Sequence, residues 1–520
     1  MSRRGAALAA ALPLALVLAG GAAGCAAGPA PGAAPGAAAP RALAADAPAP
    51  SPEAITEAEL RRDLFAMASD EMRGRLAGEL DEMRASAWVA ERAREAGLLP
   101  AGDDGTYFQF WPMRRVRTAA DARISLGGAP LELGRGAVVV TPVDARVDLP
   151  VVWVGEGTEA ELAGVDLRGK AAAAVLGRPR AAPAPGMSLW ARRYTMAAIR
   201  ERAALLAQRG AAAVILVSDS VAETQFGISG SYYLRGTYAL DTGAEARPTG
   251  APPTLWLPRS ALEAARRPGQ RLVAELSTES FVYPSVNVVA RAPGADAALA
   301  GEHVLFSGHQ DHDGTRVAVN GDSIWNGADD NVTTSVALLA IGRALVRQPG
   351  RRSALFVWHG AEERGLLGSR WFVRHPTVPL GSIVAVLNGD MLGRNHPDSA
   401  ALLGSRPPHR SSGELVAMAE AANARVSGFA LDTLWDAPTH PEGWYFRSDH
   451  LPYACASVPS LFFTTLLHPD YHTPEDESER IDVAKLARMT RWMYATGWSA
   501  AQADRRPALE PGFKLERPCT

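Results

Sequence analysis

No histidine occurs before His303 in this 520-residue chain, and all eleven lie from there onward. Any imidazole or metal chemistry therefore belongs to the C-terminal half. An excess of one charge sign is missing too: the formal net charge is −3. No Lys/Arg-rich run stands beside aromatics, so nothing argues for a nucleic-acid surface. Cysteine is scarce, with only Cys25, Cys455 and Cys519. The last two are free to pair in an oxidising compartment, and the sequence leaves that open. What remains is a globular composition, 47% hydrophobic, at a length that suggests about three domains. Such a near-neutral chain suits a soluble enzyme acting on small molecules or peptides.

The N-terminus reads as an export segment. Arg3 and Arg4 precede an apolar run over 6–20 that is too short, and wrongly flanked, to span a membrane. Ala22-Ala23-Gly24-Cys25 then resembles a bacterial lipoprotein cleavage box. Two readings stay open for 1–25: ordinary signal cleavage, or membrane attachment through a lipidated Cys25. Residues 26–52 are nearly all Ala, Pro and Gly, with too little apolar bulk to fold, and read as a linker. The chain is thus expected to be exported from a bacterial cell, as a periplasmic or outer-surface lipoprotein or a secreted protein.

Beyond the linker, the spacing of Leu60, Leu64 and Met67, and again of Met83, Ala87 and Ala90, predicts two helices within 55–99. Short apolar runs at 151–154, 171–176, 213–217 and 254–257, with a helix at 196–208, mark a separate β-rich module over 117–284. It interrupts a body formed by 53–116 and 285–503, because the first helices are too small to hold a core alone. Residues 504–520 form a tail. From 286 on, strands at 304–306, 354–358, 383–387 and 460–464 alternate with helices at 332–346, 414–424 and 483–500. Their strands are apolar without alternation, which implies a sheet covered on both faces, hence an α/β sandwich.

In such sheets ligands gather beyond the carboxyl ends of the strands. Three strands deliver His309, the Glu362–Glu363 pair and Asp390 to that edge. Asp329 stands at a helix entrance and His472 in a late loop followed by carboxylates. Two divalent metals sharing one carboxylate, with a spare carboxylate for a proton, need about this inventory. Asp329 is the expected bridge, leaving Asp330 or Asn331 to cap the helix. Asp311 is expected to accept from the second ring nitrogen of His309. Glu362 and Glu363 are adjacent on irregular backbone and should point apart, one to metal and one to the attacking water. Tyr445 is either a phenol that donates to a developing oxyanion or a packing aromatic.

Six blocks carry a family likeness: His309-Gln-Asp311-His312, Asn326-Gly-Ala-Asp329-Asp330-Asn331, Ala361-Glu362-Glu363-Arg-Gly365, Asn388-Gly-Asp390-Met391, Ser448-Asp449-His450 and Tyr471-His472-Thr-Pro. In order and spacing they resemble the co-catalytic zinc exopeptidases, which include secreted bacterial aminopeptidases and glutamate carboxypeptidase II. The resemblance implies a three-layer α/β/α sandwich of the zinc-exopeptidase (phosphorylase/hydrolase-like) type with a mixed sheet. It also implies two Zn2+, with Co2+ or Mn2+ as substitutes: His309 and Asp390 on one, Glu363 and His472 on the other, Asp329 between them. Glu362 would be the general base and Tyr445 the phenol at the oxyanion. The middle stretch resembles a protease-associated domain through 165–170 and 203–217. The implied activity is release of residues from peptide N-termini. A glutamate-type carboxypeptidase is the alternative, with Arg394, Arg406 and Arg410 available to a substrate carboxylate. A glutaminyl cyclase and a non-catalytic receptor-like relative stand behind it.

Overall fold

The computed structural model describes residues 52–184, 186–243 and 250–519. The expected export segment at 1–25 and all but the last residue of the expected linker at 26–52 lie outside them.

The sheet that positions the site has the strand order Ala430–Asp432, Ser399–Leu403, Ser460–Thr464, Ile383–Gly389, His303–His309, Ser353–His359, Thr278–Ala292, Phe108–Thr118 and Thr237–Leu240, with Leu99–Pro100 pairing off this path. Its centre is parallel: His303–His309 runs between Ile383–Gly389 and Ser353–His359. The flanks are antiparallel, so the sheet is mixed. Central strands are buried at every position, as a sheet with both faces covered requires. Val304 and Phe306 pack with Leu338, Leu486 and Trp492 on one face. Leu305, between them, packs with Phe372 and Tyr453 on the other. Each such side chain contributes roughly 1.5–3 kcal/mol by leaving water. The result is an α/β/α arrangement.

The helices Glu57–Met67 and Leu80–Glu95 close one face. Thr56 caps the first by accepting from the Glu59 amide, and Leu60, Leu64 and Met67 are buried. In the second the buried face differs from the expected one. Ala85, Val89 and Ala93 turn inward together with the expected Ala90, while Met83 is half-buried and Ala87 exposed. The reason is polar: Glu82 and Ser86 also face in, taking hydrogen bonds from Ser285 (2.7 Å) and Gln310 (2.7 Å) beside the site. Burial, then the nearby Asp311, pushes the Glu82 carboxyl up to about 8.

Phe108–Thr118 and Thr278–Ala292 pair without a register break from Thr118↔Thr278 to Phe108↔Val288. These strands lead the chain out to a second, eight-stranded sheet and back. There Ala145–Trp153, Ala171–Val175, Ala213–Val217 and Thr254–Leu257 run parallel. The helix Trp190–Gln208 packs on them through Ala198, Ile199 and Leu206. Thr237–Leu240 returns to extend the main sheet along Met113–Val116. Cys455 and Cys519 form a disulfide that ties the tail to the body. Among the described residues no helix is long and apolar enough to cross a membrane.

Candidate metal centre

The central strand ends at His309, its side chain fully buried. Its Nε2 lies 3.2 Å from Asp330 Oδ1, 3.6 Å from Asp390 Oδ2 and 3.8 Å from Glu362 Oε2. Its Nδ1 is 3.1 Å from the backbone carbonyl of Asp311. The Asp311 carboxylate, expected in that place, stands 3.8 Å away. It accepts instead from the Glu362 amide (2.9 Å) and, more loosely, the Glu363 amide (3.4 Å). Asp311 thus orients the glutamate doublet, because a peptide oxygen two residues on already satisfies the imidazole.

The aspartate doublet corrects a second expectation. Asp330, not Asp329, reaches both imidazoles, with its Oδ2 3.1 Å from His472 Nε2. Asp330 and Asn331 have non-helical backbone angles, so successive side chains diverge. Asp329 turns away to accept from the Gly393 amide (2.7 Å) and Thr333 Oγ1 (3.2 Å). Both amides of the doublet donate to Asp476, so neither aspartate is needed as a helix cap.

Glu363 Oε1 is 3.1 Å from His472 Nε2 and 2.9 Å from His312 Nδ1. Although burial opposes its charge, His472 and His312 hold Glu363 well below the usual carboxylate range. Burial, reinforced by Glu363 and Asp390 and only partly offset by His309, pushes Glu362 well above it. Asp390 is aimed by a chain of hydroxyl and amide groups: Ser307 donates to Asn388 (2.9 Å), Asn388 to Ser448 (2.8 Å), and Ser448 to Asp390 (2.7 Å). His472 sits at φ +53°. Burial works against its charge, but Glu363 and Asp330 raise it to about 9.

Tyr445 lies elsewhere. Its ring stacks on His409 at 4.1 Å between centroids, and its buried hydroxyl has no partner. It is the packing aromatic of the two readings. The phenol beside the site is Tyr471, whose ring meets that of His472 at 4.0 Å and whose hydroxyl accepts from Arg447 (2.9 Å). The arginines expected to serve a substrate carboxylate are occupied or outward: Arg394 pairs with Asp470, Arg410 with Glu510, and Arg406 is exposed. The second sheet's helix brings Arg192 to 3.5 Å from His472 Nδ1, and Arg193 pairs with Glu442. Arg447, His312 and Asp330 are the site residues that sequence alone did not single out. Their signal was present, since each adjoins a residue that it did.

The donor set fits cations. His312, Asp330, Glu363 and His472 offer ligand atoms within 4.8 Å of one another, as do His309, Asp330 and Asp390, and Asp330 is common to both groups. His309 Nε2, both nitrogens of His312, Glu363 Oε1 and Asp390 Oδ1 are buried without a hydrogen-bond partner. Such atoms are rare in native proteins, and cations held by the two groups would satisfy the ones that face them.

Residues 287–497 match the model of Peptidase family M28. The chain is 26% identical over 243 residues to a probable leucine aminopeptidase of Arthroderma benhamiae, covering 44% of this chain and 61% of that one. It is 28% identical over 188 residues to aminopeptidase YwaD of Bacillus subtilis, covering 35% and 39%. The chain therefore spans less than two thirds of these relatives' length. Among solved structures, an aminopeptidase from Aneurinibacillus sp. strain AM-1 superposes with a TM-score of 0.55 at 19% identity, over 90% of this chain and 98% of that one. BSAP, a zinc aminopeptidase from Bacillus subtilis, gives 0.55 at 18% identity over 85% and 94%. At these identities the likeness is one of fold. That match to Peptidase family M28 covers the part of the chain that carries the site, residues 287–497.

Proposed function

We propose that the protein is a zinc-dependent exopeptidase that removes residues from peptide N-termini. The observation that carries this reading is the pair of donor groups sharing Asp330, flanked by a further carboxylate, Glu362, 3.8 Å from His309. His309 and Asp390 would hold one ion and Glu363 and His472 the other, with Asp330 between them. When bound, such ions lower the pKa of water and polarise a scissile carbonyl. Glu362 takes the attacking water's proton and returns it to the leaving amine. Tyr471, whose hydroxyl accepts from Arg447, is free to donate its own proton toward the oxyanion. Asp311 fixes the backbone of the glutamate doublet throughout.

The second sheet is read as a protease-associated module that narrows access, since its Arg192 stands against His472. Export fits the Cys455–Cys519 disulfide, a bond that persists in oxidising compartments. Cys25 remains the proposed point of any lipid attachment.

The test is a panel of aminoacyl-nitroanilides run beside N-acetylated analogues and a peptide ending in glutamate. Cleavage of the free-amine substrates alone, lost on chelation and restored by Zn2+, is expected. Cleavage of the glutamate peptide from its C-terminus would transfer the assignment to a carboxypeptidase. No turnover with any metal would leave the receptor-like reading.

A further inference from the structure

The two donor groups are unequal, and the difference is His312. The family resemblance gives each ion a single histidine. We propose that His312 is an additional metal ligand, so that one ion is held by His312, Asp330, Glu363 and His472 and the other by only His309, Asp330 and Asp390. The first site then binds its ion more tightly, and the two fill in order. This rests on the two-ion reading above.

Four observations converge. Both ring nitrogens of His312 are buried and without a hydrogen-bond partner, whereas buried polar groups ordinarily find one. His312 Nδ1 stands 2.9 Å from Glu363 Oε1, yet the two atoms are not aligned as a hydrogen bond. Ligands about 2.0–2.2 Å from a common tetrahedral ion lie roughly 3.3 Å apart. The separations here are 2.9 Å for His312–Glu363, 3.1 Å for His472–Glu363, 3.1 Å for His472–Asp330 and 4.0 Å for His312–Asp330. These bracket that value.

The backbone is also shaped to admit this ring. Gly327 has φ +55°, and a Cβ on it would come within 2.4 Å of the His312 ring. Only glycine leaves that space without strain. The fully buried Arg75 joins the two loops concerned by donating to the carbonyls of Gln310 (2.7 Å), Asn326 (2.7 Å) and Gly327 (3.1 Å). Its own carbonyl accepts from the His312 amide at 3.3 Å. The imidazole is therefore held in place before any ion arrives.

Chelator-treated protein titrated with Zn2+ and with Co2+ in a calorimeter, with bound metal counted after gel filtration, tests this. Wild type is expected to bind two ions in two resolved steps. His312→Ala should weaken the tighter step by on the order of 10–100-fold or more while the looser step moves less. The visible absorption of the first Co2+ equivalent should change with it. His309→Ala should show the converse, losing the looser step. Because truncation empties the space beside Gly327, His312→Gln is run in parallel, and unchanged melting of the metal-free variants guards against misfolding. Two ions in wild type with an unaltered tight step in His312→Gln overturns the inference alone. Failure of wild type to bind any ion overturns it together with the two-ion reading.

Discussion

The two acidic doublets, Asp329–Asp330 and Glu362–Glu363, look alike in sequence and are used differently. Both members of the glutamate pair face the imidazoles, Glu362 toward His309 and Glu363 toward His312 and His472. Only one member of the aspartate pair does. Asp329 is drawn off by the Gly393 amide and Thr333, and its other oxygen lies 3.5 Å from His468 Nε2. Adjacency on irregular backbone dictates that side chains part. Which one enters a site depends on whether amides and hydroxyls wait on the other side.

Exchanging the roles within the aspartate doublet gives the largest expected effect. Asp330→Asn removes the acid common to both donor groups and should abolish binding of both ions and all turnover. Asp329→Asn should keep metal stoichiometry and lose only roughly 1–3 kcal/mol of stability, the cost of weakening a buried hydrogen-bonded group. Metal counting and denaturant melts on the two variants decide it. If Asp329→Asn lost the metal and Asp330→Asn kept it, the contrast drawn above would be reversed.

The glutamate doublet should divide by function where the aspartates divide by location. Glu362→Gln is expected to retain both ions while kcat falls by about 10²–10⁴, the range for a positioned general base. Glu363→Gln is expected to lose metal from the group containing His472. Near-normal turnover in Glu362→Gln would break the assignment.

The phenols repeat the contrast at smaller scale. Tyr471→Phe should lower kcat by on the order of 10²-fold, as loss of one oxyanion donor does. Tyr445→Phe, at a hydroxyl with no partner, should leave kcat unchanged. Equal effects from both variants would undo the exchange of roles argued for them.

Much of the fold was legible because burial on both faces writes itself as unbroken apolar strands, as in 304–306 and 354–358. The helix Ser220–Arg235 was not, since Gly227, Gly230 and paired tyrosines hide its period. It exists because Asp219 caps it, accepting from the Val221 and Ala222 amides. At the site, residue types and strand ends brought His309, Glu362, Glu363, Asp390 and His472 to notice. Side-chain direction was another matter. Asp329 and Asp330 differ by one residue, and the hydrogen bonds that Asp329 accepts from Thr333 and from the Gly393 amide, 64 residues on, separate them. Tyr445 and Tyr471 have the same chemistry and comparable neighbours in sequence. Packing on His409 removes one of them from contention.

Acids that serve structure rather than the site should show themselves in stability, not turnover. His409 is the place to look. Its two ring nitrogens lie 2.9 Å from Asp436 and 3.0 Å from Glu516, the latter in the C-terminal tail. Burial disfavours its charge, but these two acids outweigh it and raise its pKa above the ordinary value of 6.5. A group raised on folding contributes stability that is complete below its unfolded pKa and fades as pH climbs through the folded one. Once neutral, the ring has one N–H and can no longer donate to both carboxylates. Glu516→Gln, which keeps the side chain's bulk, should therefore melt below wild type at pH 6, with the gap closing as pH rises through the folded pKa of His409. Metal-centre contributions cancel in the difference. A gap that stays constant from pH 6 to 9 would mean that the tail is held by packing and the Cys455–Cys519 bond alone.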